Sequence, residues 1–319
     1  MNREPDCYAA RLINMGEVKK SRSGGFFISL CHYVFKHSGV VYGCSGENPH
    51  HIIHKRATNI LECESLRNPK YVQSDLLNTF SECANDLESG MIVLFSGTGC
   101  QIHGLLRYLE IKGVEDSGLV TVDLVCHGVP SPGIWETYLN QLETNYHKRI
   151  VAVNFRDKEA CGWEAHKERI DFDDNSTVLE DVWTNLFYSN TILRGSCLCC
   201  PYTSTERNSD FTIGDYWGIG NNVKEFDDNK GVNLVLVHSD KGKRIFNELH
   251  DLNYRRTDLK NSLQPNLYEP SRVEKKKREK VLSDYKNYAP DVFINKYLNK
   301  NRYYYLSSKL RNKCKALFG

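Results

Sequence analysis

The sequence lacks the features of a membrane protein, a secreted protein or a disordered chain. No apolar run reaches the roughly 18 to 20 residues that a membrane span requires. The start, Met1 to Asp6, has no basic segment leading into an apolar run, as a secretion signal would. With 40% hydrophobic residues in a chain of 319, one large or two modest cores can form. We therefore expect a folded cytoplasmic protein.

The sequence also lacks a strong charge of one sign, because its formal net charge is only +2. The charge is unevenly distributed: sixteen Lys and Arg against six Asp and Glu from Arg256 onward give that part +10, which leaves −8 for the rest. The chain is thus an acidic body with a basic tail. Because the basic residues lie in the tail and no base-recognition module is present, nucleic-acid binding is not expected as a main role.

Cysteine, in contrast, is abundant, with twelve residues in the chain. A cytosolic protein keeps its thiols reduced, so disulfides do not explain them and metal or redox chemistry does. Some are interpreted as small core residues, such as Cys31 within a helical apolar pattern.

Strand and helix signals alternate in the first half. Residues 23–44 indicate a helix capped by Ser23 and then a strand. The apolar run 91–95 leads through a Gly-rich loop to a helix, and the run 119–125 leads to a helix whose N-cap is Ser131, followed by Pro132. Successive units of this kind predict an α/β fold with parallel strands, in which ligands bind at the carboxyl ends of the strands.

The second half predicts a mixed α+β arrangement with more antiparallel strands, at residues 151–155, 169–172, 211–213 and 232–237. The basic tail is expected to contain peripheral helices. Its segment 303–318 has an amphipathic pattern that suits an anionic membrane surface or a partner protein, the alternative being a helix docked on the body. We divide the chain into residues 1–85, 86–253 and 254–319.

Four cysteines stand in positions that suit a metal centre. Cys197 and Cys200 form a C-x-x-C pair, although Cys199 also competes as a ligand. Cys100 and Cys126 each follow a predicted buried strand. Four thiolates suit either a 4Fe-4S cluster or a structural zinc. The alternative interpretation of Cys100 and Cys126 is that they are ordinary buried thiols.

Several motifs follow one another along the chain, at residues 20–25, 70–74, 95–102, 123–132, 155–158, 193–202 and 209–219. In order and spacing they resemble the beta-subunit family of coenzyme F420 hydrogenases and dehydrogenases. The resemblance covers roughly Tyr8 to Leu249. Segments 1–85 and 86–253 are similar to the N-terminal and C-terminal parts of that family.

The resemblance implies an oxidoreductase with FAD beside a 4Fe-4S cluster. Hydride chemistry would occur at the flavin and single-electron transfer through the cluster, with coenzyme F420 as co-substrate in the best-known members. It also implies a small-molecule substrate and a link to cell-surface polysaccharide biosynthesis. The sequence departs from the family in having Gly99 in place of a proline and in lacking an N-terminal ferredoxin module. A separate redox partner such as ferredoxin is therefore expected.

We predict the following roles. The cluster ligands are Cys100, Cys126, Cys197 and Cys200, the cofactor-binding residues are Ser23, Gly24, Gly25, Gly97, Thr98 and Gly128, and the catalytic residue is His127. Glycine at a helix start allows close approach of a phosphate, and a histidine titrates near neutral pH. The alternatives are an ordinary helix cap at Ser23 and a structural His127. Two alternative functions remain open. One is a zinc-stabilised scaffold or partner subunit without catalysis, and the other is a ferredoxin-dependent flavin reductase that does not use F420.

Overall fold

The computed structural model describes residues 4–160 and 162–297. The strands are β1 Asp6–Leu12, β2 Val40–Ser45, β3 Ile53–Ala57, β4 Val93–Gly97, β5 Leu119–Leu124, β6 Ile150–Asn154, β7 Glu168–Phe172, β8 Thr177–Glu180, β9 Phe211–Asp215, β10 Asn233–Val237 and β11 Leu252–Arg256. The helices are α1 Met15–Lys20, α2 Phe26–Lys36, α3 Thr79–Glu88, α4 Gly99–Lys112, α5 Pro132–Tyr146, α6 Val182–Tyr188, α7 Asp240–Glu248 and α8 Lys275–Asn287.

Eight strands form one sheet in the order β11-β1-β10-β9-β5-β4-β2-β3. Four consecutive strands, β9, β5, β4 and β2, are parallel, and the strands outside them are antiparallel to their neighbours. Strands β6, β7 and β8 form a separate antiparallel sheet. Since β1 pairs with β10 and β2 pairs with β4, the sequence boundary at residue 85 marks no break in the large sheet.

The parallel strands are covered on both faces. Along β2 and β4, Val41 and Leu94 pack with α2 on one face, whereas Tyr42 and Phe95 pack with α3 and α4 on the other. Burial on both faces explains why these strands are nearly continuous apolar runs in the sequence. A third core joins α5, α6 and α8 to the three-stranded sheet, and contains the fully buried Trp183.

The mixed α/β fold class is confirmed, with parallel units followed by antiparallel strands and a basic helix, α8. The prediction that Ser23 caps α2 is wrong. Gly25, with a φ of +86°, occupies the N-cap, and the Ser23 hydroxyl donates to the carbonyl oxygen of Val232 at 2.5 Å. Residues 21–25 are buried and make such contacts, so the helix begins only at Phe26.

The basic tail is helical as far as the structure describes it, over α8 and again over residues 290–297. The amphipathic segment predicted at 303–318 lies outside the described residues. Within residues 4–160 and 162–297, no helix is long and apolar enough to cross a membrane.

Candidate functional site

Two neighbouring parallel strands end side by side and carry Cys100 and Cys126. Strand β4 ends at Gly97, which pairs with Asp123 near the end of β5. Thr98 then caps α4 through a capping box, in which its backbone N–H donates to Gln101 Oε1 at 2.9 Å. Cys100 lies in the first turn of α4 with an exposed side chain, and Cys126 lies two residues beyond β5, half-buried. Both thiols are thus at the carboxyl edge of the sheet.

The C-x-x-C segment packs against the loop that contains Cys126. Leu193 forms an isolated bridge with Pro130, and the Arg194 N–H donates to the Val129 carbonyl oxygen at 2.9 Å. Residues 195–199 then form a short 3-10 turn that carries Cys197, and Cys200 follows in an extended conformation. Two backbone contacts therefore bring a segment about seventy residues away to the end of β5.

The four thiols are close enough to affect one another's ionisation. Burial raises the pKa of Cys126 to about 12, and the neighbouring Cys197, Cys100 and Cys200 thiols act in the same direction. Burial likewise raises the pKa of Cys200, with Cys100 and Cys197 adding to the effect. A metal centre that binds thiolates must supply the positive charge that offsets this cost of ionisation.

Cys199 points elsewhere. Its side chain is exposed, and its Sγ lies 3.8 Å from the Ser196 carbonyl oxygen and 3.9 Å from that of Gly195, within its own 3-10 turn. Cys200, by contrast, interacts with Cys100 and Cys126. The geometry favours Cys197 and Cys200 as the pair that faces the other two thiols.

Gly128 has a backbone that the site requires. Its φ is +130°, and a Cβ at this position would lie 2.9 Å from Leu193 Cδ1 and 3.2 Å from Cys197 Cβ. Glycine is therefore needed both for the dihedral angle and for the close approach of the turn that carries Cys197.

Gly99 has a local explanation as well. A Cβ there would lie 2.7 Å from Arg207 Nη1 and 3.2 Å from Asp123 Oδ2. These two side chains form an ion pair of 3.2 Å, and each is only 2% exposed. Burial raises the pKa of Asp123 to about 6 even with Arg207 beside it. The buried Asp123–Arg207 ion pair therefore lies close to Gly99, which stands immediately before Cys100 where the family has a proline.

His127 is fixed by its neighbours. Its Nε2 lies 2.7 Å from Asn190 Oδ1 and its Nδ1 lies 3.4 Å from Asn266 Oδ1, while the ring packs against Phe187 and Tyr188. Burial lowers the pKa of His127, which favours the neutral ring. The neutral imidazole follows Cys126 directly in the chain, and its catalytic role stays a prediction.

The loop Ser23–Gly25 is engaged with the protein. A Cβ on Gly24 would lie 2.3 Å from the Ala10 carbonyl oxygen and 2.8 Å from the Asn233 nitrogen, and the Phe26 N–H donates to Asn233 Oδ1 at 3.0 Å. Close packing on β1 and β10 accounts for the glycine. Phosphate binding by this loop stays a prediction.

Sequence reasoning missed a hydrogen-bonded chain that begins at Cys100. Thr98 Oγ1 lies 3.1 Å from Cys100 Sγ, Gln101 bonds both Thr98 and Ser74, and Ser74 Oγ lies 2.9 Å from His54 Nδ1. Burial lowers the pKa of His54 to about 4, so the ring is neutral. Gln101 and Ser74 lay within recognised motifs, and His54 stood out only as one of three neighbouring histidines, so nothing in the sequence linked it to Cys100.

A second polar cluster, also missed as a unit, lies at the carboxyl end of β9. Arg156 Nη1 donates to Asp215 Oδ2 at 2.5 Å, and Arg22 Nε lies 3.8 Å from the same oxygen. Arg156 and Asp215 were noticed within motifs, but their spacing of 59 residues gave no sign that they pair. Arg22, far upstream, could be joined to them only in three dimensions.

A cleft of about 550 Å³ opens beside the end of β2. Its lining includes Gly46, Arg67, Lys70 and Phe155. Burial lowers the pKa of Lys70 to about 8, and its ammonium donates to the carbonyl oxygens of Ser65 and Arg67. The carboxyl edge of the parallel strands thus carries the cleft, the thiols and the arginine cluster in succession, because β2, β4, β5 and β9 all end there.

Among the residues that the structure describes, no three or more His, Cys, Asp or Glu side chains are grouped so as to hold a single metal ion. Four thiols are a donor set that either a zinc ion or a 4Fe-4S cluster takes.

Comparison with known proteins agrees with the fold and the motifs. The chain resembles, in structure, a chain of the F420-reducing [NiFe] hydrogenase complex from Methanosarcina barkeri, with a TM-score of 0.55 and 15% identity over 80% of this chain and 83% of that one. At this identity the likeness shows a common fold. No curated protein matches the sequence.

The family described as the C terminus of the beta subunit of coenzyme F420 hydrogenase/dehydrogenase matches residues 90–260, which is more than half of the 319 residues. The matched region contains all four thiols, the Arg207–Asp123 pair and His127. The chain therefore belongs to the coenzyme F420 hydrogenase/dehydrogenase beta-subunit family.

Proposed function

We propose that this chain is an electron-transferring oxidoreductase in which Cys100, Cys126, Cys197 and Cys200 hold a 4Fe-4S cluster beside a bound FAD. The observation that supports this is the meeting of four thiols from three separate segments at the carboxyl edge of the sheet. That edge is where open α/β sheets bind their ligands. When bound, the flavin exchanges hydride with a two-electron partner and single electrons with the cluster.

The chain's own residues would hold the cluster and set its surroundings. Cys126 and His127 lie in the loop after β5, and Gly128 lets the turn that carries Cys197 approach this loop. The Thr98 hydroxyl, 3.1 Å from Cys100 Sγ, can donate a hydrogen bond to a thiolate. Hydrogen bonds to cluster sulfurs help to set the reduction potential, so Thr98 would tune the electron acceptor.

His127 would take part in proton transfer and would not be a cluster ligand. Burial keeps the ring neutral, and Asn190 and Asn266 hold its orientation. A neutral imidazole at this position would donate or accept a proton in the reaction that a bound flavin supports. We assign it this proton-handling role.

The partners follow from the family. Coenzyme F420 is proposed as the hydride partner because it appears in the description of the matching family. A protein partner such as ferredoxin is proposed because the similar hydrogenase is a complex. A place in cell-surface polysaccharide synthesis and a small-molecule substrate are proposed from the family resemblance, and a contact of the basic tail with a membrane is proposed from the amphipathic pattern of residues 303–318.

The test compares two cysteine variants of the anaerobically purified full chain. Cys126→Ser is expected to lose nearly all iron and the broad visible absorbance of a cluster, because one of four ligands is removed. Cys63→Ser is the matched control, since Cys63 is a fully buried core thiol, and it is expected to retain both. Equal iron loss in the two variants, or zinc in place of iron in the wild type, would contradict the assignment.

A further inference from the structure

Arg22 and Arg156 are buried arginines with donors left over. They are 6% and 4% exposed, respectively. Both guanidinium groups approach the same two acceptors, the Trp163 carbonyl oxygen and Asp215 Oδ2. The Nε and Nη1 of Arg22 and the Nε of Arg156 have no hydrogen-bond partner among the described residues. A buried donor without a partner is destabilising because its lost hydration is not replaced, and more so when the group is charged.

The charges in this cluster do not balance. Two guanidinium groups share one carboxylate, Asp215. Lys158 adds to the positive charge: its ammonium donates to the carbonyl oxygens of Val18, Ser23 and Lys230. Asp228, the next carboxylate, is already paired with Arg11 at 2.8 Å. The cluster therefore has an excess of buried positive charge.

Arg67 shows what a balanced buried arginine looks like in the same protein. Its side chain is 4% exposed, close to the 5% of Arg22, but it is paired with both Glu17 and Glu64 and donates to Ser21 Oγ at 3.0 Å. Arg207 is likewise matched one to one by Asp123. The Nε of Arg67 also has no hydrogen-bond partner among the described residues. Arg22 and Arg156 therefore differ from Arg67 in their unbalanced charge, and Arg22 also in having a second donor without a partner.

Aromatic side chains lie between the arginine cluster and the protein surface. Arg156 lies over the ring of Trp217, with 5.1 Å from its Cζ to the ring centre, and its Nη2 lies 3.2 Å from His166 Nε2. Trp217 is 38% exposed and Tyr188 is 39% exposed. His166 packs against both of these rings. Burial and the nearby Arg156 lower the pKa of His166 to about 4, which agrees with a positive local potential.

We infer that Arg22 and Arg156 form a subsite for an oxyanion, a phosphate or carboxylate group of a small-molecule ligand, at the carboxyl end of β9. An oxyanion would supply the missing negative charge, and its oxygens would accept from the planar guanidinium groups. The aromatic rim suits a ligand whose charged group is attached to a ring. The subsite does not depend on the four thiols, so it stands or falls separately from the cluster.

The experiment measures the thermal midpoint of the full-length protein as inorganic phosphate or acetate is added at constant ionic strength, with chloride as balance. At ten times the dissociation constant, a ligand bound only by the folded state adds about 1.4 kcal/mol of stability, which corresponds to a midpoint rise of roughly 2–4 °C for a protein of this size. We expect a saturable rise with at least one of the two anions.

Three variants make the result specific. Arg22→Met removes the charge and is expected to abolish the saturable rise. Arg22→Lys keeps the charge but loses the planar guanidinium group, and is expected to lower the apparent affinity for the anion at least fivefold. Arg67→Met is the matched control and is expected to keep the response at a lower overall midpoint. No saturable rise in the wild type, or an equal rise in the Arg22→Met protein, would overturn the proposal.

A comparison of flavin-free and flavin-bound protein identifies the source of the anion. A response in flavin-free protein that disappears once flavin is bound assigns the subsite to a phosphate of the flavin. A response that persists with flavin bound assigns it to a separate ligand. Repeating the titration on Cys126→Ser separates this proposal from the cluster, because the anion response is expected to survive there even though the iron is lost.

Discussion

At the scale of single residues, the buried ionisable groups fall into those that the fold satisfies and those that it leaves open. Glu168 is an example of the first kind: fully buried, its carboxylate accepts hydrogen bonds from Tyr138, Trp183 and Thr184. Arg22 is an example of the second kind. Groups of the first kind are expected to contribute to stability, and groups of the second kind to binding.

Glu168 makes a prediction about pH. Burial raises its pKa to about 6 from an ordinary value of 4.5, so the folded protein binds this proton more tightly than the unfolded chain does. Stability should therefore fall as pH rises from about 4.5 to 6, by roughly 2 kcal/mol from this group, and stay level above it. Glu168→Gln does not titrate, so it should flatten that part of the profile while lowering stability throughout, since its amide nitrogen cannot accept from Thr184.

The measurement is the free energy of unfolding by denaturant between pH 4.5 and 7, under anaerobic conditions. Glu164→Gln, at an exposed position, is the control and should keep the wild-type slope. A Glu168→Gln profile parallel to that of the wild type would show that the carboxyl group is not the source of the slope.

At the scale of elements, the contact between the loop after β5 and the 3-10 turn 195–199 forms the site. Gly128 lies in this contact, and Gly128→Ala would place a Cβ against Leu193 and Cys197 at a φ of +130°. Gly113→Ala is a matched control: φ there is +69°, but the space around it is open. We expect Gly128→Ala to cost about 2–4 kcal/mol and to lower the iron content, and Gly113→Ala to cost about 1 kcal/mol with iron unchanged.

Denaturant unfolding and metal analysis on the same preparations check both parts of this prediction. Similar losses of stability in the two variants would mean that the turn moves aside easily. Iron unchanged in a destabilised Gly128→Ala protein would mean that the contact supports the fold and not the metal centre.

The elements differ in how clearly the sequence indicates them. Strands β4, β5 and β10 are apolar runs buried on both faces, and their predicted ends lie within two residues of the observed ones. Strand β1 was missed because Asp-Cys-Tyr-Ala-Ala-Arg-Leu has no β-branched residue, and it becomes a strand by pairing with β10, more than two hundred residues away. The start of α2 was misplaced because local capping signals compete with the long-range contact of Ser23 to Val232.

At the scale of the whole molecule, the sheet collects groups that are distant in sequence onto one edge. The motifs predicted that Cys100 and Cys126 would lie at strand ends, because strand, loop and helix follow each other in the chain. The arginine cluster could not be predicted in the same way, because Arg22, Arg156 and Asp215 come from three segments that meet only in the folded protein.

The central claim concerns the number and kind of metal atoms at the thiol site. The most direct measurement is the iron, acid-labile sulfide and zinc content of the anaerobically purified wild-type chain, together with its electron paramagnetic resonance spectrum after reduction. The account predicts about four irons and four sulfides per chain and the signal of a reduced 4Fe-4S cluster. One zinc per chain without sulfide, or no metal at all, would contradict it.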